Sequence, residues 1–246
     1  MVSKSQIKLI KSLTQKKFRN IHELFVVEGI KGINEFLISD YELVSVYSTG
    51  EKFNVPENQL IMIDEKELNK ISSLKTPQKA LAVFKISPTQ QATVVGLVIA
   101  LDGVRDPGNL GTIIRLCDWF GVENLICSKD TVDCYNPKVV QASMGSLPRV
   151  KIQYVDLIEF INQNKNIPVL GTMLEGENIY SADLPESAIV VLGNEANGIS
   201  LEMQKLLTQK LNIPQFGKIQ ETESLNVATA TAVILSEFRR NSIIGK

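Results

Sequence analysis

Val94-Val-Gly-Leu-Val-Ile-Ala-Leu101 runs into Asp102-Gly-Val-Arg-Asp-Pro-Gly108 and then into Asn109-Leu-Gly-Thr-Ile-Ile-Arg115. The first stretch is apolar throughout, broken only by Gly96, as expected of a strand buried on both faces of a parallel sheet. In the third, Leu110, Ile113, Ile114 and Cys117 fall at i, i+3, i+4 and i+7, the stripe of a helix with one buried face. Strand, polar turn and helix thus follow one another directly. The same alternation continues downstream, with strands expected at 125–127, 150–155, 168–172, 188–192 and 211–214. Helices are expected at 137–143, 157–162, 201–207 and 225–240. Repeated βα units predict an α/β domain with an open, mostly parallel sheet.

Upstream lies a smaller region. The polar stretch Ile86-Ser-Pro-Thr-Gln-Gln-Ala-Thr93 reads as a linker, which sets two domains at 1–88 and 93–246. In the first, Ile7, Ile10 and Leu13 have helical spacing. Residues 24–27, 43–47, 60–63 and 80–84 read as strands, and 30–37 as a helix opened by Gly29. A small α/β/α sandwich is expected.

The chain has 246 residues, 44% of them hydrophobic and 22% charged, with net charge −1. A sizeable core can form, and global disorder is excluded. The near-neutral balance hides an asymmetry: Met1 to Lys31 holds seven basic residues against Glu23 and Glu28. Either a solvated helix face or a phosphate-contacting face fits this pattern. The apolar run 94–101 is far short of the roughly 20 residues that span a bilayer, and the N-terminus lacks an apolar signal core. Cys117, Cys127 and Cys134 have no Cys-x-x-Cys spacing and read as free thiols. A cytosolic (cytoplasmic) protein without a metal site or membrane segment is expected. The single histidine, His22, has no partner motif for a catalytic triad.

Ligands of open α/β sheets bind beyond the carboxyl ends of the strands, and three polar patches fall there. Asn109 is placed to cap the helix that carries Arg115 six residues on; the pair reads as a capped helix with a solvated Arg, or as groups presented to a phosphate or ribose. Leu192-Gly-Asn-Glu-Ala-Asn-Gly198 ends a strand. Gly193 permits close backbone approach and Gly198 a sharp turn, with Glu195 on the loop between them. Ser224-Leu-Asn-Val-Ala228 opens the last helix, with Ser224 as a natural cap, Glu223 just before it and Asn226 in the first turn. The small residues of 226–232 suggest a close-packed face, against the protein's own sheet or a second subunit. A Gly-x-Gly-x-x-Gly fingerprint is absent, which argues against a dinucleotide-dependent dehydrogenase.

With these motifs, residues 95–238 resemble the SpoU/TrmH-type RNA ribose 2′-O-methyltransferases of the SPOUT superfamily. The carrying stretches are 102–115, 190–200 and 211–228. Lys8-Leu-Ile-Lys-Ser-Leu13, Lys16-Lys-Phe-Arg19 and Phe25-Val-Val-Glu-Gly29 resemble the RNA substrate-binding domain often joined to these enzymes, which is akin to RNA-binding ribosomal proteins. The resemblance implies a knotted (trefoil) methyltransferase domain and a homodimer with its active site at the subunit interface. It also implies S-adenosylmethionine as cofactor. Leu192, Gly193, Ile213 and Leu225, with Thr172 and Met173, would line the cofactor pocket. Asn109, Arg115, Glu195, Ser224 and Asn226 match the family's polar active-site positions. Arg115 would clamp a substrate phosphate and polarise the 2′-OH; Arg stays protonated in proteins, so the proton acceptor is left open. Asn109 would orient Arg115 or the ribose, Glu195 would position either, and Ser224 and Asn226 would hold the target phosphate or ribose. RNA is the implied substrate, ribosomal RNA ahead of transfer RNA; a non-catalytic RNA-binding protein is the alternative.

Overall fold

A computed structural model describes residues 1–88, 94–217 and 224–244. The expected linker residues 89–93 and Glu223 lie outside the described residues. By packing, the chain divides into two compact units: Met1–Pro88 with Asp133–Arg149, and Thr89–Val132 with Val150–Lys246.

The first unit opens with α1 (Lys4–Ser12), whose Ser3–Gln6 capping box satisfies N-terminal N–H groups. Then come α2 (Lys16–His22), β1 (Leu24–Glu28), α3 (Ile30–Leu37), β2 (Leu43–Ser48), β3 (Leu60–Met62), α4 (Glu65–Ile71) and β4 (Ala80–Lys85). The strands form one sheet in the order β1-β4-β2-β3, with β4 antiparallel to β1 and β2. Side chains alternate across it. Val26, Tyr47, Leu81 and Val83 pack with Ile10 of α1, Leu13 at its C-cap, and Leu68 and Ile71 of α4. Phe25 and Phe84 pack tilted against Phe36 of α3 at centroid distances of 5.3 and 5.2 Å from the Phe36 ring. All three rings are fully buried, each contributing about 1.5–3 kcal/mol. This is the expected α/β/α sandwich. The pattern does not foretell α2 or α4, although the Asp64–Glu67 capping box of α4 stands in the sequence.

The second unit carries β5 (Leu97–Asp102), α5 (Pro107–Trp119), β6 (Asn124–Ser128), β7 (Lys151–Val155), α7 (Leu157–Gln163), β8 (Val169–Asn178), β9 (Ala188–Gly193), α8 (Leu201–Gln204), β10 (Gln209–Asn212) and α9 (Val227–Ile244). Its six strands run β10-β8-β9-β5-β6-β7, every pair parallel. Strand β8 is longer than its apolar part suggests. Its pairing with β10 jumps from Gly171↔Lys210 to Glu177↔Leu211, so residues 172–176 swing out of the ladder. The last helix packs its buried positions Val227, Ala228, Thr231, Ile234 and Leu235 against α5 and β9. Much of the small-residue face therefore meets its own domain.

By packing, Asp133–Arg149 groups with Met1–Pro88. Helix α6 (Pro137–Ala142) lies on β1, and the Tyr135 ring sits 4.6 Å from that of Phe25. Arg19 fixes the segment. It is 2% exposed, donates to Asp133 Oδ2 from Nη2 at 2.5 Å and from Nε at 3.0 Å, and donates to the Leu13 carbonyl at 2.8 Å. One of the seven basic residues of the N-terminal stretch is therefore internal, its guanidinium held by Asp133 and the Leu13 carbonyl.

Candidate active site

The site begins where β5 ends. Gly103 takes φ +76°, turning the chain. Its N–H donates to Ser128 Oγ at 2.9 Å and its carbonyl accepts from Asn194 Nδ2 at 2.6 Å. Helix α5 then starts with Asp106 as its cap and Pro107 in its first turn. Asn109, the cap expected from the pattern, stands inside the helix, its own N–H donating to Asp106 Oδ1 at 2.8 Å. Its side chain is thereby free for other partners.

Those partners come from the other two patches. After β9 the loop closes on itself: Asn194 and Gly198 exchange two backbone hydrogen bonds of 2.9 Å, and Asn194 Oδ1 accepts from the N–H of Ala196 and Asn197. Gly193 is required here, since a Cβ would stand 2.1 Å from the Gly198 carbonyl carbon. The loop holds Glu195 over the start of α5. Its carboxylate accepts from Asn109 Nδ2 at 2.9 Å and from the N–H groups of Arg105 and Asp106 at 3.3 and 3.2 Å. Asn226 Nδ2 donates to Asn109 Oδ1 at 2.8 Å. Asn226 Oδ1 accepts from the N–H of Ala228 and Thr229, so Asn226, rather than Ser224, caps α9. Partial burial pushes the Glu195 carboxyl up, but the Asn109 amide and the backbone N–H groups outweigh it and hold the group below its ordinary value. Glu195 is therefore ionised at neutral pH and fixes which way the Asn109 amide faces.

Beside this chain of three side chains opens a cavity of about 650 Å³, within the usual range for small-molecule sites. Leu192 and Gly193 line it from β9, Thr172 and Met173 from the displaced part of β8, and Ile213 and Leu225 from the chain flanking 218–223. Glu195, Ser224 and Asn226 line it too. Apolar walls with a few polar groups and close backbone suit the adenine and amino-acid ends of S-adenosylmethionine. Arg115 is apart. Six residues along α5 from Asn109, about 9 Å along the axis, it is exposed, and its side chain makes no hydrogen bond or ion pair among the described residues. It shares its face with Thr112 and Trp119, the latter 80% exposed. Residue-type reasoning misses three supports: Asp106, Asn194 and Asp102, whose carboxylate accepts from the Ser200 N–H at 2.7 Å. The Asp-Pro pair is the sequence signal that marks Asp106 as the cap.

The SpoU rRNA methylase family model matches residues 96–236. The chain belongs to that family. A second model, an MRM3-like substrate-binding domain, matches residues 4–82. Among solved structures, a TrmH-family protein from Porphyromonas gingivalis is 39% identical with a TM-score of 0.90, covering 98% of this chain and 99% of that one. An AdoMet-bound rRNA methyltransferase from Sinorhizobium meliloti is 28% identical with a TM-score of 0.85, covering 98% and 97%. A 23S rRNA guanosine 2′-O-methyltransferase of Bacillus subtilis is 28% identical over 95% of this chain and 96% of its own. As a SpoU-family protein, the chain is an RNA methyltransferase, and the three polar patches lie within the family match.

Proposed function

We propose that this SpoU-family protein methylates a ribose 2′-OH of ribosomal RNA, with S-adenosylmethionine held in the cavity at the β8, β9 and β10 ends. The observation that carries this reading is the Asn226–Asn109–Glu195 chain at the rim of that cavity. The bound cofactor supplies an electrophilic methyl group. The protein's own task is to aim a poor nucleophile and to hold the phosphate beside it. With Asn109 oriented by the Glu195 carboxylate and anchored by Asn226, the rim offers a rigid polar edge to the ribose. Ser224 lines the same edge and reaches a ribose or phosphate oxygen.

Arg115 belongs to the reading as the phosphate clamp. It stays protonated and polarises the hydroxyl; it does not take the proton. Because its exposed side chain stands about 9 Å along α5 from Asn109 and makes no bond to the rim among the described residues, the proposal includes a homodimer whose α5 face brings Arg115 to the partner's cavity. The exposed Trp119 on that face supports this, since exposed tryptophans are enriched at interfaces. The trefoil knot is part of the same proposal. It fits the return of α9 to α5 and β9 after β10 has closed one edge of the sheet. The region 1–88, with 133–149, is proposed to bind the RNA. No helix among the described residues is long and apolar enough to cross a membrane, and we place the protein in the cytoplasm.

Nucleoside mass spectrometry of rRNA and tRNA from cells with and without the gene tests the substrate. A 2′-O-methyl nucleoside lost from rRNA alone is expected; loss from tRNA alone would move the substrate to tRNA. Arg115→Ala is expected to abolish transfer while S-adenosylhomocysteine still binds. Retained turnover would remove Arg115 from the mechanism.

A further inference from the structure

Arg105 has two lives in this site. Its main-chain N–H is one of the donors that hold Glu195. Its side chain, 70% exposed, leaves the rim and reaches Asp130 Oδ2 with a single bond of 3.3 Å. Asp130 is 56% exposed, so the pair is weak: exposed ion pairs gain little from high-dielectric Coulomb attraction and lose side-chain freedom. The two partners are not held alike. Asp130 is anchored from below, where Ser128 Oγ, itself 8% exposed, donates to Oδ1 at 2.6 Å. That bond first, and then Arg105, keeps the carboxyl below its ordinary value against partial burial. Among the described residues the Arg105 side chain makes no other hydrogen bond, and a guanidinium carries five donors. One end is thus fixed and the other loosely parked.

We propose that Arg105 is a backbone-phosphate contact for the substrate RNA, parked on Asp130 in the free protein and handed to the phosphate when RNA enters. The inference rests on the RNA methyltransferase reading of the rim. A phosphate offers two oxygens to a guanidinium in a bidentate, charge-assisted geometry, stronger than one 3.3 Å bond to an exposed carboxylate. The position suits this role. Arg105 directly precedes the Asp106 cap, so its side chain starts at the positive end of α5, four residues before Asn109 of the rim. Asp130 suppresses non-specific pairing of Arg105 with other anions and leaves it once a phosphate is presented. Specificity by exchange of partners costs little affinity when the parked bond is weak.

The sign pattern of two variants makes the proposal testable. Arg105→Ala keeps the main-chain N–H that Glu195 needs and deletes only the guanidinium. Asp130→Asn keeps an oxygen for Ser128 and releases the arginine. The probe is rRNA from a strain lacking the gene, with affinity read by filter binding at several salt concentrations and transfer read in parallel. Arg105→Ala is expected to weaken RNA binding about tenfold and to lower the magnitude of the salt slope by about one. KM for RNA should rise, with kcat and S-adenosylhomocysteine affinity unchanged. Arg105→Lys should recover part of the loss. Asp130→Asn should tighten binding, and that gain should vanish in the Arg105→Ala background. Unchanged affinity and slope in Arg105→Ala would overturn the proposal, as would two variants that weaken binding alike, the mark of a merely structural clasp. If the parent protein binds this RNA but never methylates it, the enzyme reading fails, while the binding series still decides the role of Arg105.

Discussion

Two arginine–aspartate pairs, one in each unit, use the same chemistry to opposite ends. Arg19 and Asp133 are 2% and 13% exposed and meet at 2.5 Å, with a second guanidinium bond to Asp133 and a third to a carbonyl. Arg105 and Asp130 are 70% and 56% exposed and meet once, at 3.3 Å. The first pair joins residues 114 positions apart and cannot open without leaving a charge in the interior. The second can open at any time, because water replaces each partner. Burial, more than residue type, decides whether such a pair is a permanent joint or a releasable hand.

The contrast predicts a graded series. Arg19→Ala leaves Asp133 unpaired in a largely buried site and should cost about 3–5 kcal/mol. Hydrogen exchange should show β1 and residues 133–149 losing protection together. Arg105→Ala should change stability by less than about 0.5 kcal/mol; equal losses would erase the distinction. Deleting residues 1–88 is a poor test of that region, since it strips 133–149 of its packing partner.

Next in size is Gly193→Ala. The added Cβ collides with backbone at Gly198 and Ile199, so the loop must shift and the cavity wall with it. Saturating S-adenosylhomocysteine, which at 100 times its dissociation constant adds about 2.7 kcal/mol to the parent, should leave the variant's melting temperature unmoved. A normal ligand shift would mean that the loop does not shape the cofactor cavity.

The smallest expected effect is electrostatic. Glu195 has a lowered folded value, so its hold on Asn109 is complete above about pH 5, where an ordinary Glu is ionised. The hold is lost as pH falls through the lowered value. Rim-dependent RNA affinity should therefore be flat from neutral to about pH 5 and drop only in stronger acid. Glu195→Gln should remove that acid limb, and a limb persisting in the variant would assign it to another group.

Much of the catalytic unit was legible because local pattern and final packing agree. The run at 94–101 and the stripe of α5 each state their burial directly, and the three patches fall at strand ends where parallel sheets present ligands. Less was legible where the deciding partner is distant. The valines of α6 announce a buried face without naming β1 as its cover, and nothing in Arg19's neighbourhood distinguishes a phosphate ligand from the mate of Asp133. Asn109 and Ser224 were natural caps by type. Asp106 and Asn226 took the caps because Pro107 fixes the start of α5 and because Asn226 also reaches Asn109. The five-residue swing of β8 that carries Thr172 and Met173 to the cavity depends on its register with β10, which has no local signature.

The central claim is that the Asn226–Asn109–Glu195 rim aims a ribose hydroxyl at the cofactor cavity. The most direct measurement is transfer from methyl-labelled S-adenosylmethionine to rRNA from a strain lacking the gene, followed by alkaline hydrolysis. The account predicts label in a hydrolysis-resistant dinucleotide with the parent protein and none with Asn109→Ala that still binds S-adenosylhomocysteine. Label on a base, or full transfer by that variant, would contradict it.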